Sequence, residues 1–145
     1  MNLVGGISDL KLIDFGIALH VTKSDETTSV SISSAMGTIN YMPPEALRPG
    51  ERKVGRPSDI WALGSILYKL VFKRMAFPQV HPCAKMVAIC GDYTPDYTSV
   101  PGCDEDPPEL ENIVRIIKRC LVRKKSERIN IYNLLNDEFV KKYMK

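Results

Sequence analysis

The spacing of apolar positions divides the chain into a strand-like start, a long polar stretch and a helical remainder. Leu10-Lys11-Leu12-Ile13 alternates and then runs apolar ahead of Asp14-Phe15-Gly16, with the turn formers Gly5-Gly6 and Ser8-Asp9 before it. This pattern predicts a short N-terminal β-hairpin ending in a buried strand and a turn. From His20 to Met36, Ser, Thr and charged residues dominate with little periodicity, which predicts a mobile exposed loop. Loops of that length inside a compact domain generally serve as lids or binding segments. After Pro57, Ser58 can cap a helix whose body, Asp59 to Phe72, is apolar almost all the way round and therefore belongs in the interior. A short helix is expected around Lys85 to Cys90. Another follows Pro107-Pro108, with Leu110, Ile113, Val114, Ile117 and Leu121 on one stripe and charge opposite, as on a surface helix. The last predicted helix, Ile131 to Tyr143, carries Leu134, Leu135 and Phe139 on one side and basic residues at its C-terminal end.

Composition narrows the function classes. The chain has 145 residues, 44% hydrophobic and 26% charged, ordinary for one soluble domain. Twenty Lys and Arg against seventeen Asp and Glu leave a net charge of +3, too small to mark a nucleic-acid or membrane-surface binder. The cluster Lys118, Arg119, Arg123, Lys124 and Lys125 is read as the wet face and C-terminal end of a helix, the alternative being a nuclear-localisation or nucleic-acid patch. No run approaches the ~18 apolar residues of a membrane span. The first residues lack a signal-peptide pattern, so an intracellular location is expected. Cys83, Cys90, Cys103 and Cys120 form no CxxC pair, and His20 and His81 stand far apart, so reduced thiols and no structural zinc are expected.

The chemistry lies in motifs taken in order. Asp14-Phe15-Gly16 follows the predicted strand, Met42-Pro43-Pro44-Glu45-Ala46-Leu47 follows the polar stretch, Ser58-Asp59-Ile60-Trp61-Ala62-Leu63-Gly64 opens the apolar helix, and Arg128 stands near the end. A lone Asp-Phe-Gly carries little weight. In this order the set resembles the C-terminal half of a eukaryotic protein kinase. The stretches Leu10–Ala18, Thr27-Thr28-Ser29-Val30 and Gly37–Ala46, with a double proline where most kinases have Ala-Pro, resemble the monopolar-spindle (TTK) dual-specificity kinases. The resemblance covers nearly the whole chain and implies a mainly α fold: the C-terminal lobe of the α+β kinase fold, with the short β-hairpin at its start and the N-terminal lobe absent. Residues 1–145 would be a partial kinase domain, and 14–45 its activation segment.

The resemblance also implies roles. Asp14 would direct magnesium bridging the phosphates of ATP, and Gly16 would let the backbone turn; the plainer reading of Asp14 is a turn cap. Asn2, twelve residues before Asp14, stands at the spacing of the catalytic-loop Asn that holds a second magnesium; alternatively it is an ordinary terminal residue. Thr38 would line the pocket beside the phosphoacceptor, or be a plain turn hydroxyl. Glu45 and Arg128 match a pair joining the end of the activation segment to the later helices by a bidentate contact, a structural role. Asp59 would accept backbone hydrogen bonds from the catalytic loop, or simply favour a helix N-terminus, and Trp61 would pack beneath the activation segment. Thr28 is the first candidate for phosphorylation, with Thr27, Ser29, Ser31, Ser33 and Ser34 beside it.

Two departures stand out: Lys124-Lys125-Ser126-Glu127-Arg128 lacks the usual Asp-Pro before the Arg, and Ala76-Phe77-Pro78 replaces the usual Thr-Pro-Phe. The glycine-rich loop, the strand Lys with its Glu partner and the general-base Asp precede Asp-Phe-Gly in kinase order and have no place in residues 1–13. The implied function is therefore part of a spindle-checkpoint-type kinase acting on protein hydroxyls, nuclear, kinetochore-associated and cytoplasmic, with this chain inactive and marginally stable by itself. The alternative is a kinase-derived binding module without catalysis. Neither nucleic acid nor membrane is an expected partner.

Overall fold

The computed structural model describes residues 10–20, 29–32, 37–50, 52–98, 100–102 and 107–144. Helices dominate, as expected. In chain order the elements are β1 (Ser29–Ser31), a 3₁₀ turn (Ile39–Tyr41), α1 (Pro44–Leu47), β2 (Lys53–Gly55), α2 (Arg56–Phe72), α3 (Pro82–Cys90), α4 (Leu110–Cys120), α5 (Ile131–Leu135) and α6 (Glu138–Lys141). β1 and β2 form a two-stranded antiparallel ladder.

α2 is the axis. It begins at Arg56, earlier than expected, because Pro57 fits the first turn, where no amide donor is needed. Ser58 is accordingly not the residue before the helix but lies one turn in, where its Oγ accepts from the Gly55 amide at 3.1 Å. Trp61, Tyr68 and Phe72 recur at helical spacing and are fully buried. Trp61 stacks on Phe77 at 5.8 Å, while Tyr68 packs on Phe72 at 4.6 Å and edge-on against Tyr97 at 5.5 Å. α4 crosses α2 at Gly64: a Cβ built there would lie 2.5 Å from Cys120 Cβ, so hydrogen is the only side chain this approach admits. Ile60, Ile116, Cys120, Ile129 and Leu134 close a second cluster on the far side of the crossing. The expected stripe of α4 is observed, with Leu110 and Ile117 buried and Glu111, Arg115 and Lys118 exposed. α3 takes Pro82 in its first turn and ends at Gly91.

Four expectations need correction. Leu10–Ile13 is not a buried strand: Leu10, Leu12 and Ile13 are over 80% exposed and no strand pairs with them among the described residues. An apolar run becomes a buried strand only when a second strand and a packing surface meet it; the other half of the expected hairpin, residues 1–9, lies outside the described residues. The polar stretch is not all loop, since Ser29–Ser31 pairs with β2. α2 is not wholly interior, because Ile66 and Leu70 are exposed. The single C-terminal helix is two short ones, broken at Asn136-Asp137, where the Asp137 carboxylate accepts from the Phe139 amide at 3.1 Å and caps α6. The break turns Leu135 outward, 40% exposed, while Leu134 is buried.

Candidate functional site

Asp14-Phe15-Gly16 forms an exposed turn. Asp14 has φ +62°, a conformation Asp tolerates through local hydrogen bonding, and its Oδ1 accepts from the Gly16 amide at 3.2 Å. The positive φ falls on Asp14, and Gly16 is, as expected, a central residue of the turn from Phe15 to Ala18, closed by the Ala18 amide donating to the Phe15 carbonyl at 3.0 Å. A Cβ on Gly16 would stand 3.2 Å from the same carboxylate oxygen, so the glycine keeps this face clear. Magnesium bound with nucleotide needs only one or two protein carboxylates, the phosphates and water supplying the rest. A single exposed carboxylate with one oxygen in a local bond suits that demand, and no group of three or more His, Cys, Asp or Glu among the described residues suits a dedicated metal cage. Asn2 lies outside the described residues.

The two ends of the segment approach each other beyond this turn. Gly37 has φ +104°, and a Cβ there would lie 3.6 Å from Ile17 Cδ1 and 3.8 Å from Met42 Cε. Thr38 precedes the 3₁₀ turn, its carbonyl accepting from the Tyr41 amide at 3.0 Å and its hydroxyl left uncapped and exposed. Pro43 and Pro44 set extended backbone and then helix, which places Glu45 in the first turn of α1. Arg128 donates from Nη1 and Nη2 to Glu45 Oε1 and Oε2 at 2.7 and 2.9 Å. The Arg128 side chain is fully buried and that of Glu45 12% exposed. The guanidinium also donates to the Pro57 and Val122 carbonyls at 2.7 and 2.8 Å and lies 5.1 Å from the Trp61 ring centre. Glu45 further accepts from Ser58 Oγ at 3.1 Å, so one clasp joins α1, the start of α2 and the turn after α4.

Asp59 is exposed on the first turn of α2, yet the surrounding protein raises its carboxyl above the ordinary range by desolvation. It has no hydrogen-bond partner among the described residues. Trp61 shares its core cluster with Met42 and Leu47, and its indole N–H is buried without a partner among the described residues. Ser29 and Ser31 lie on β1, whereas Thr27, Thr28, Ser33 and Ser34 lie outside the described residues. Cys83, Cys90 and Cys120 are free thiols, Cys120 pushed up to about 11 by burial; Cys103 is outside the described residues.

The basic cluster is occupied internally. Arg119 pairs with Asp137 at 2.9 Å, Arg123 donates to the Ala88 and Ile89 carbonyls at the end of α3, Lys118 lies 4.9 Å from the Tyr97 ring centre and Lys124 pairs with Glu127 at 2.5 Å. Sequence reasoning missed several anchoring residues. Arg123 caps α3 from across the fold; Lys85, buried on α3, bonds Asn40 in the 3₁₀ turn; Asp137 holds Arg115 bidentately at 2.5 and 2.9 Å. Only the Asp137 cap had a local signal, an Asp preceding an apolar run.

The sequence profile described as "Protein kinase domain" matches residues 2–140. The chain belongs to the protein kinase domain family. This kinase-domain chain is 39% identical over 147 residues to the probable serine/threonine-protein kinase mps1 of Dictyostelium discoideum, covering 97% of the chain and 14% of that protein. It is 35% identical to the dual specificity protein kinase Ttk of Danio rerio, over 90% of the chain and 13% of that protein. To the serine/threonine-protein kinase MPS1 of Saccharomyces cerevisiae it is 31% identical, over 98% of the chain and 20% of that protein. The kinase-domain chain is therefore similar to kinases of the Mps1/TTK type and spans about a fifth or less of the length of these relatives. No helix among the described residues is long and apolar enough to cross a membrane.

Proposed function

We propose that this chain is the rear part of the catalytic domain of a dual-specificity protein kinase, transferring the γ-phosphoryl group of ATP to protein hydroxyls in chromosome segregation. Residues 14–45 are its activation segment. Magnesium, when bound with ATP, neutralises charge developing on the transferred group. Asp14, with Asn2, orients that metal; Thr38 faces the phosphoacceptor; Asp59 receives backbone N–H groups from the catalytic loop, a role supported by its desolvated, unpartnered carboxyl. The observation that carries the proposal is the buried clasp of Glu45 and Arg128, which fixes the end of the segment to the helical body. Nuclear and kinetochore residence belongs to the same proposal.

The chain's own groups bind and orient but include no general base by motif, so the 145-residue chain is expected to transfer no phosphate above the uncatalysed rate. The test uses γ-labelled ATP, magnesium and a generic Ser/Thr protein substrate. The longest product of the same locus is expected to transfer label and to lose at least about 100-fold on Asp14→Asn. Transfer that survives Asp14→Asn overturns the metal role. An inert longest product that still binds the protein substrate supports the non-catalytic binding module instead.

A further inference from the structure

Lys85 is buried on α3, at 9% exposure, and its ammonium donates to Asn40 Oδ1 in the 3₁₀ turn. That is its one hydrogen bond among the described residues, and no carboxylate pairs with it there. A buried ammonium held by a neutral acceptor costs stability that an apolar side chain of similar length, such as Met, would not. Rules of packing are broken in this way chiefly at functional sites.

The two ends of the bond differ in rigidity. α3 is fixed: Ala88 and Ile89 lie in the core, Arg123 donates to their carbonyls at 3.1 and 2.9 Å, and His81 Nδ1 accepts from the Cys83 amide at 3.3 Å at the start of the helix. The turn has only three residues, Ile39–Tyr41, and no side-chain cap. Ile39 packs on the core, and Asn40 carries the turn's single side-chain hydrogen bond among the described residues. Thr38, exposed, stands immediately before the turn and closes it by accepting from the Tyr41 amide. A rigid helix thus holds, through one polar bond, the turn that sets where the Thr38 hydroxyl stands.

We propose that Lys85 is a substrate-positioning residue, which through Asn40 keeps the turn in the form that presents Thr38 to the phosphoacceptor segment of a protein substrate. The inference rests on the proposed role of Thr38. Without the bond the turn samples other forms, and apparent affinity falls with the fraction still competent to bind. Substrate already bound holds the turn in its competent form, so turnover is spared. A Lys85 that served stability alone would behave in the opposite way: its loss would reduce the amount of active protein, lowering kcat at constant KM.

Amide exchange in the 145-residue chain and transfer to dephosphorylated casein by the longest product of the same locus test this. Lys85→Met is expected to speed exchange of the Tyr41 amide about tenfold, the scale of a lost bond to a charged group. The Leu121 amide, bonded to the Ile117 carbonyl, is expected to be unchanged and reports on folding. In the transfer assay KM for casein is expected to rise about tenfold, while kcat and KM for ATP change by less than about twofold. Asn40→Ala is expected to do the same, and the double variant no more than either, because both remove one bond. Where Leu121 exchange rises in Lys85→Met, Asn40→Ala decides by itself. Unchanged exchange at Tyr41, a fall in kcat at constant KM, or additive effects of the two variants overturn the proposal. A longest product that transfers no phosphate counts against the proposed function, and casein binding by fluorescence anisotropy then takes the place of KM. Equal binding with and without Lys85→Met, or no binding at all, overturns the positioning role.

Discussion

Replacing Arg128 by Ala is expected to damage folding before chemistry. The substitution removes both bonds to Glu45, at 2.7 and 2.9 Å, and the donors to the Pro57 and Val122 carbonyls, from a side chain with no solvent exposure. Glu45, 12% exposed, keeps a Ser58 hydroxyl at 3.1 Å but loses its counter-charge. Breaking one side of a buried pair costs about 3–5 kcal/mol, because the remaining charge stays desolvated and uncompensated. With a urea m-value of about 2 kcal/mol per molar, the unfolding midpoint falls by roughly 2 M. Trp61 is the single tryptophan and lies against the Arg128 guanidinium, so its fluorescence reports the transition locally while far-UV circular dichroism reports it globally. Lys124→Ala is the control: its pair with Glu127 is more than half exposed on both sides and is expected to contribute under about 1 kcal/mol. A midpoint shift below about 0.5 M for Arg128→Ala, or equal shifts for the two variants, would refute the clasp as an anchor. Glu45→Gln with Arg128→Met completes a double-mutant cycle whose coupling is expected to exceed about 1.5 kcal/mol.

Gly64→Ala is expected to destabilise by about 1–3 kcal/mol through the 2.5 Å approach of its Cβ to Cys120, measured by the same urea titration; an unchanged midpoint means α2 and α4 do not cross as described. Asp137 has its carboxyl held well below the ordinary range, chiefly by the Arg115 hydrogen bonds. A carboxyl depressed in the folded state stabilises fully above its unfolded pKa of about 3.9, and that contribution disappears as pH falls toward the folded value. Asp137→Asn is therefore expected to lower the midpoint at pH 7 and to flatten its fall between pH 5 and 2, and parallel acid limbs would count against the pairing. Exposed Leu10, Leu12, Ile13, Phe15, Ile66 and Leu70 predict that the folded chain binds the dye ANS at urea concentrations below its unfolding midpoint. Absence of dye binding to the folded chain would contradict it.

The helices and the order of motifs were legible in the sequence because each is a local property. The stripe of α4, the apolar length of α2 and Asp14-Phe15-Gly16 ahead of Glu45 depend on neighbours a few residues away. What tertiary structure decided are the relations without a period. The family resemblance pairs Arg128 with Glu45, but the contact itself joins residues 83 positions apart, a meeting that no periodicity encodes. Asp137 splits the last helix because two arginines on α4 are there to hold it. Leu10–Ile13 reads as a buried strand and stands in solvent because burial needs an opposing surface, which an apolar pattern can request and cannot supply. Ser31 faces Lys53 through ladder register alone, set by backbone pairing between strands of three residues whose composition marks neither as a strand.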